Sequence, residues 1–127
     1  MRCLLDSHAL IWWCIDSPKL SLVARSMISD SDDVLISAAS VWELATLTRL
    51  GRLNEIEDFA KNYAPLMADN GFWVLSVTED HAMSAGLLPG DHRDPFDRMI
   101  AAQALIEDMA VITRDPALAA FGCRVIW

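Results

Sequence analysis

Residues 2–14 read Arg2-Cys-Leu-Leu-Asp-Ser-His-Ala-Leu-Ile-Trp-Trp-Cys14. A short apolar strand, Arg2–Leu5, meets an acid at Asp6, and an apolar helical segment, Ala9–Cys14, follows. A strand that is continuously apolar rather than alternating is buried on both faces. The same order recurs along the chain. Strands are expected at Val34–Ile36, Trp73–Leu75, Ala110–Ile112 and Arg124–Ile126. Helices are expected at Leu20–Ile28, Ser40–Leu50, Ile56–Ala68, Thr78–Leu87, Pro95–Glu107 and Pro116–Phe121. Ser17-Pro18, Gly51, Asn70-Gly71 and Pro89-Gly90 punctuate them. Short apolar strands alternating with helices make a parallel sheet covered on both sides, with right-handed crossovers. The expected fold class is therefore α/β, a three-layer α/β/α sandwich around a short-stranded parallel sheet. At 127 residues the chain is expected to form one domain over 1–127.

Composition narrows the function classes. With 54 % hydrophobic residues the chain buries a sizeable core, which excludes disorder. Asp6, Asp16, Glu43 and Asp97 interrupt the apolar stretches well before the ~18–20 residues of a membrane span. The acid at position 6 also interrupts any signal-peptide core, so no membrane partner and a cytoplasmic location are expected. Cys3, Cys14 and Cys123 form no CxxC pair and no Cys/His cluster, and read as small buried hydrophobes in a reducing compartment. The formal net charge of −8 is unfavourable for a protein that grips nucleic acid over a broad surface. Either the acids make a soluble surface, or part of them forms one cluster that awaits a cation.

Their positions favour the cluster. In open parallel sheets, sites lie outside the carboxyl ends of the strands. Asp6 follows the first strand, Glu43 opens the helix after the second, Asp97 opens the helix before the fourth, and Asp115 follows the fourth. Taken singly, each is explained as a helix cap. Asp6 could cap the helix after it, Ser40-x-x-Glu43 matches a capping box, and Asp94-Pro95 and Asp115-Pro116 each match an N-cap followed by proline. Asp94 already fills the capping role for its helix, which leaves Asp97 free. Asp97 shares a helix face with Ala101, Ala104 and Asp108, and the small alanines let that face approach the sheet. Carboxylates gathered in a partly closed site repel one another and raise their pKa values. All the donors are hard oxygens, which select Mg²⁺ or Mn²⁺. Such an ion suits phosphodiester hydrolysis. No Ser-His-Asp or Cys-His set and no Gly-rich phosphate loop is present. A phosphotransfer or receiver-like domain with Asp6 as nucleophile wants a second acid beside it or two residues on, where Ser7 and His8 stand. A catalytically silent binding module would have lost acids, and all four are present.

The motifs together resemble a PIN-domain ribonuclease, specifically the toxin of a VapBC-type toxin–antitoxin pair. The resemblance rests on Leu4-Leu-Asp-Ser-His-Ala-Leu-Ile-Trp12, Ser37-Ala-Ala-Ser-Val-Trp-Glu-Leu-Ala45, Leu50-Gly-Arg-Leu53, His92-Arg-Asp-Pro-Phe-Asp-Arg-Met-Ile-Ala-Ala-Gln-Ala104, Ile112-Thr-Arg-Asp115 and Arg124-Val-Ile-Trp127. It covers essentially the whole chain. It implies that Asp6, Glu43, Asp97 and Asp115 are catalytic and hold Mg²⁺ or Mn²⁺, with Ser7 as the hydroxyl after the first acid and a candidate to touch substrate. It further implies an RNA substrate, a cognate antitoxin whose C-terminal segment fills the groove, and arrest of translation or growth when the toxin is free. One departure is visible: many relatives carry a basic residue shortly after the Trp-Glu motif, where this chain has Thr46-Leu47-Thr48 and then Arg49.

Arg93, Arg98 and Arg114 flank the acids and are candidates to grip phosphates, with surface salt bridges to Asp91 or Asp94 as the alternative. His8 is expected to pack or cap near the first helical turn. Trp12, Trp13 and Trp42 could stack on bases, though Trp12 and Trp42 are expected in the core. A homodimer is expected from leftover apolar surface, with the antitoxin received near Trp42–Leu53.

Overall fold

A computed structural model describes residues 1–127. The elements run β1 (Arg2–Leu5), α1 (Ser7–Cys14), α2 (Leu22–Asp30), β2 (Asp33–Ser37), α3 (Ala38–Arg49), α4 (Phe59–Asn70), β3 (Trp73–Leu75), α5 (Glu79–Leu87), α6 (Pro95–Glu107), β4 (Ala110–Ile112), α7 (Pro116–Ala120) and β5 (Val125–Ile126). The strands form one sheet in the order β3-β2-β1-β4-β5, and every pairing is parallel. The expected α/β/α sandwich is the observed fold.

The alternation of side chains along β1 shows the layers. Cys3 and Leu5 join a core with Leu10 and Trp12 of α1, Ile28 of α2, Leu44 of α3 and Met67 of α4. Leu4, between them, points the other way and packs with Ile100, Ala101 and Ala104 of α6 and Leu118 of α7. Ile112 and Val111 of β4 divide in the same manner. Two cores on opposite faces explain why the strands read as unbroken apolar runs. No helix is long and apolar enough to cross a membrane.

Register aligns the carboxyl ends. Leu5 stands opposite Ile36 of β2 and Ile112 of β4. Asp6, Ser37 and Thr113 therefore leave the sheet side by side. The Asp6 N–H extends the ladder by donating to Ile112 O at 3.2 Å.

Several boundaries differ from the sequence expectation for local reasons. Ser21 caps α2 by accepting from Ala24 N–H at 3.0 Å, so that helix starts at Leu22 rather than Leu20. The segment from Ile56 is not helical until Phe59, because Asp58 sits at φ +47°. At the other end, Gly71 at φ +66° closes α4 in the left-handed conformation glycine tolerates. The largest difference is at α3. Ser37 is the last residue of β2 and also the N-cap of α3, accepting from Ala39 N–H at 3.0 Å. Strand passes into helix with no loop. The Ser40-Glu43 capping box is therefore not formed: Ser40 is fully buried inside the helix and its hydroxyl has no partner.

Candidate active site

A cavity of about 640 Å³ opens at the carboxyl edge of the sheet. Asp6, Glu43, Asp97 and Asp115 all line it, so residues up to 109 positions apart in sequence meet at one place. Each is placed by a different local device. Asp6 caps α1, its Oδ1 accepting from Ala9 N–H at 2.7 Å. Its Oδ2 accepts from the Thr113 hydroxyl at 2.5 Å, which ties β1 to the end of β4. Thr113 also accepts from Asp115 N–H at 3.0 Å, and Asp115 caps α7 by accepting from Ala117 N–H at 2.9 Å. Glu43 lies in the second turn of α3, and the Ser7 hydroxyl donates to its Oε1. Asp97 lies in the first turn of α6, with His92 Nε2 2.9 Å from its Oδ2. Asp94 caps that helix as expected, accepting from Phe96 and Asp97 N–H. It also lines the cavity, so capping and facing the site are not alternatives for it.

Burial is the main influence on these carboxyls. The Asp6 pKa is raised, chiefly by desolvation, against the lowering effect of Thr113, Ala9 and His8. Glu43 is raised by desolvation, with Asp94 and Asp97 adding repulsion and the Ser7 hydroxyl opposing it. Asp97 is raised by desolvation, with repulsion from Asp94 and Asp115 and a counteracting bond from His92. The upward shifts expected of acids in a partly closed site are present for these three; removal from water contributes most, and like charge adds to it.

No Lys or Arg forms an ion pair with any of the acids lining the cavity, and only Asp97 has a charged-capable partner, His92. A set of carboxylates that the protein leaves without cationic partners, and that consists of oxygens alone, is chemically suited to a hard divalent cation. The groups ring the cavity rather than converge, and no three His, Cys, Asp or Glu side chains stand close enough to share one ion.

The arginines separate. Arg114 lines the cavity, its guanidinium 4.5 Å from the Trp12 ring centroid. Arg93 is exposed and outside the cavity wall. Arg98 is corrected to a structural residue. It donates to Ala85 O at 2.9 Å, His92 O at 2.8 Å and Leu88 O, and lies over Phe121. These carbonyls end α5 and shape the loop before α6, so the guanidinium is occupied and cannot turn to a phosphate. Ser7, a candidate to touch substrate, is buried in the cavity wall and its hydroxyl donates to Glu43. His8 lies against Trp12 in the cavity wall, 5.5 Å between ring centroids. Trp12 is buried as expected, but Trp42 is 64 % exposed, packed edge-on against Phe96 at 5.0 Å. Consecutive helix positions point about 100° apart, so the rotation that aims Glu43 into the cavity carries Trp42 outward.

Sequence reasoning missed Thr113, His92, Lys19 and Glu55. Thr113 had a signal, since it is the last hydroxyl before Asp115 at a strand's end. His92 sits in a quoted motif but five residues from its partner. Lys19 and Glu55 reach the cavity through loops, where spacing carries no information.

A family model for the PIN domain matches residues 3–122. The chain is 30 % identical over 116 residues to Ribonuclease VapC22 of Mycobacterium tuberculosis, covering 91 % of this chain and 88 % of the relative. Among solved structures, VapBC-1 of nontypeable Haemophilus influenzae superposes with a TM-score of 0.70 at 18 % identity, covering 98 % and 96 % of the two chains. A toxin-antitoxin complex from Klebsiella pneumoniae gives 0.62 at 17 % identity, covering 90 % and 87 %. At those identities the superpositions show the shared fold, and the family match and the curated relative carry kinship. This chain belongs to the PIN-domain family.

Proposed function

We propose that the chain is a divalent-metal-dependent endoribonuclease of the VapC type, the toxin of a toxin–antitoxin pair. The observation that carries this is the cavity lined by Asp6, Glu43, Asp97 and Asp115, buried enough to raise three of their pKa values and with none of them ion-paired to a Lys or Arg. The 30 % identical relative, named a ribonuclease, supports the activity. Asp6, Glu43, Asp97 and Asp115, which ring the cavity, would close in to hold the ion, Mg²⁺ or Mn²⁺. Bound there, it would neutralise the carboxylates, stabilise charge on the phosphate and make water a better nucleophile.

The chain's own residues do the positioning. Thr113 and the Ala9 N–H fix both oxygens of Asp6. Ser7 fixes Glu43, and His92 holds Asp97. Rigid ligands lose little entropy when the ion and substrate arrive. The substrate is RNA, and a cognate antitoxin silences the toxin. Toxin–antitoxin complexes among the structural neighbours support that partner. Its docking place is the Trp42–Leu53 stretch, on the helix that carries Glu43, where Trp42 and Leu50 are exposed. Free toxin would cut RNA in the cytoplasm and stop translation or growth. The chain acts as one domain and as a homodimer, which apolar side chains left in solvent, such as Leu22, Met83 and Leu87, support.

Cleavage of RNA by the purified chain with Mn²⁺ or Mg²⁺, and none with EDTA, is the expected result. Mn²⁺ at about a hundred times its Kd should also stabilise the fold by about 2.7 kcal/mol. Cleavage that persists in EDTA, or a melting curve indifferent to millimolar Mn²⁺, would refute the metal assignment. A phosphorylated Asp6 would indicate a phosphotransfer domain instead.

A further inference from the structure

Two cations line the acidic cavity, and neither pairs with a carboxylate. Lys19 Nζ lies 5.9 Å and the Arg114 guanidinium 4.5 Å from the same ring centroid, that of Trp12. Of the chain's ten Lys and Arg residues, only these two reach the cavity wall. Both are exposed, while Trp12 is 8 % exposed and fixed from its edge by Trp127 at 5.7 Å. With acids around them, long flexible cations would ordinarily fold onto carboxylates. Here the aromatic ring holds them apart from the acids and leaves their N–H donors free. Arg114 precedes Asp115, so one short segment presents a cation and an acid to the same cavity.

We propose that Lys19 and Arg114, seated on Trp12, form a clamp for the RNA phosphate next to the one being cut. This rests on the ribonuclease reading above and adds a binding subsite to it. A strand crossing a cavity with this many carboxylates is repelled everywhere except along this wall, so the wall sets its path. Arg114 offers a planar fork for two phosphate oxygens and Lys19 a point charge. Because Trp12 is buried beneath the cations, its face is closed to a base. The clamp reads backbone and not sequence.

The test is steady-state cleavage of a single-stranded RNA oligonucleotide with Mn²⁺ by wild type, K19Q, R114Q, R114K and K61Q. Lys61 is exposed on α4 outside the cavity, so K61Q makes the same charge change elsewhere. K19Q and R114Q should each raise KM about tenfold, the effect falling on KM rather than kcat. Each should also lower the slope of log(kcat/KM) against log salt by about 0.7, one phosphate contact on a single strand. R114K, with charge but no fork, should fall between. Mn²⁺ should stabilise every variant as it stabilises wild type. If wild type cleaves and K19Q and R114Q match K61Q in KM and slope, the clamp is wrong and the ribonuclease reading stands. If the loss falls on kcat, or the Mn²⁺ stabilisation disappears with it, the two residues serve the metal site and the clamp is again wrong. If wild type cleaves no RNA with either metal, the ribonuclease reading falls and the clamp with it.

Discussion

Two polar clusters are buried in this molecule, and they are built on opposite principles. One is the acidic cavity. The other lies where α5 packs on α6, around His81, which is 1 % exposed. There the groups answer one another. Thr78 N–H donates to His81 Nδ1 at 3.1 Å, which puts the ring proton on Nε2, 2.9 Å from Glu107 Oε1. The Thr78 hydroxyl accepts from His81 N–H, closing a capping box in which histidine stands where glutamate is usual. Gln103 Nε2 donates to Ser76 O at 3.2 Å, and only its Oε1 is left without a partner. In the cavity, by contrast, like groups face like groups, and no protein cation pairs with them apart from His92 at Asp97. A polar cluster whose donors and acceptors mostly pair with one another stabilises the fold. One that gathers like charges out of water costs stability until a ligand neutralises it, which is the mark of a functional site.

Single substitutions should separate the two. The largest effect is expected from Asp6→Asn. It should reduce RNA cleavage at least about a hundredfold if, as proposed, Asp6 is one of the carboxylates that hold the ion. Without metal the same variant should be more stable than wild type at neutral pH, by about 1 kcal/mol. The sign follows from the raised pKa values. Asp6, Glu43 and Asp97 hold protons in the folded state that the unfolded chain sheds nearer 3.8 and 4.5. Their cost is absent below the ordinary carboxylate range and grows as pH rises through the folded values. The Tm difference in EDTA should therefore open with rising pH and close in acid. A gap independent of pH would mean that Asp6 acts only as a cap.

His81→Ala should do the reverse. It removes a buried ring and half of a capping box, and leaves Glu107 without its donor. A loss of about 2–3 kcal/mol in denaturant unfolding is expected, with kcat unchanged while the protein is folded. A drop in kcat would connect the two clusters and blunt the contrast. Asp94→Asn should be smaller again. Asparagine still caps α6, so stability holds, and cleavage should fall by less than about tenfold because only a neighbouring charge is lost. If Asp94→Asn is inactive and Asp97→Asn active, the roles of these two acids are reversed.

The smallest effect concerns the helix that carries Glu43. The Ser40 hydroxyl is buried without a partner. Ser40→Ala should stabilise the protein by up to about 1 kcal/mol in thermal unfolding, because it removes an unsatisfied group from the core. Destabilisation would reveal a partner for that hydroxyl, such as buried water.

Much of the fold was legible in the chain because its signals are local. A strand buried on both faces must be continuously apolar, and Cys3-Leu-Leu5, Val34-Leu-Ile36 and Ala110-Val-Ile112 are. Pro95 and Glu107 bound α6 as read, since proline after a capping Asp leaves little freedom. The placement of Asp6, Glu43, Asp97 and Asp115 at one sheet edge also followed from order alone, because parallel strands send their carboxyl ends the same way. Tertiary structure decided the rest. Whether Arg98 or Arg114 faces the cavity depends on which carbonyls lie within reach, and the carbonyls of Ala85, Leu88 and His92 come from a neighbouring helix and loop. Trp42 is exposed because Glu43 must point inward, and the helix phase was hidden by a capping box that the sequence spelled but the chain does not form. Lys19 and Trp12 meet only through the turn that ends α1. Periodicity and caps act over a few residues and can be read in sequence, whereas a side chain's partners are set by distances that only the packed chain defines.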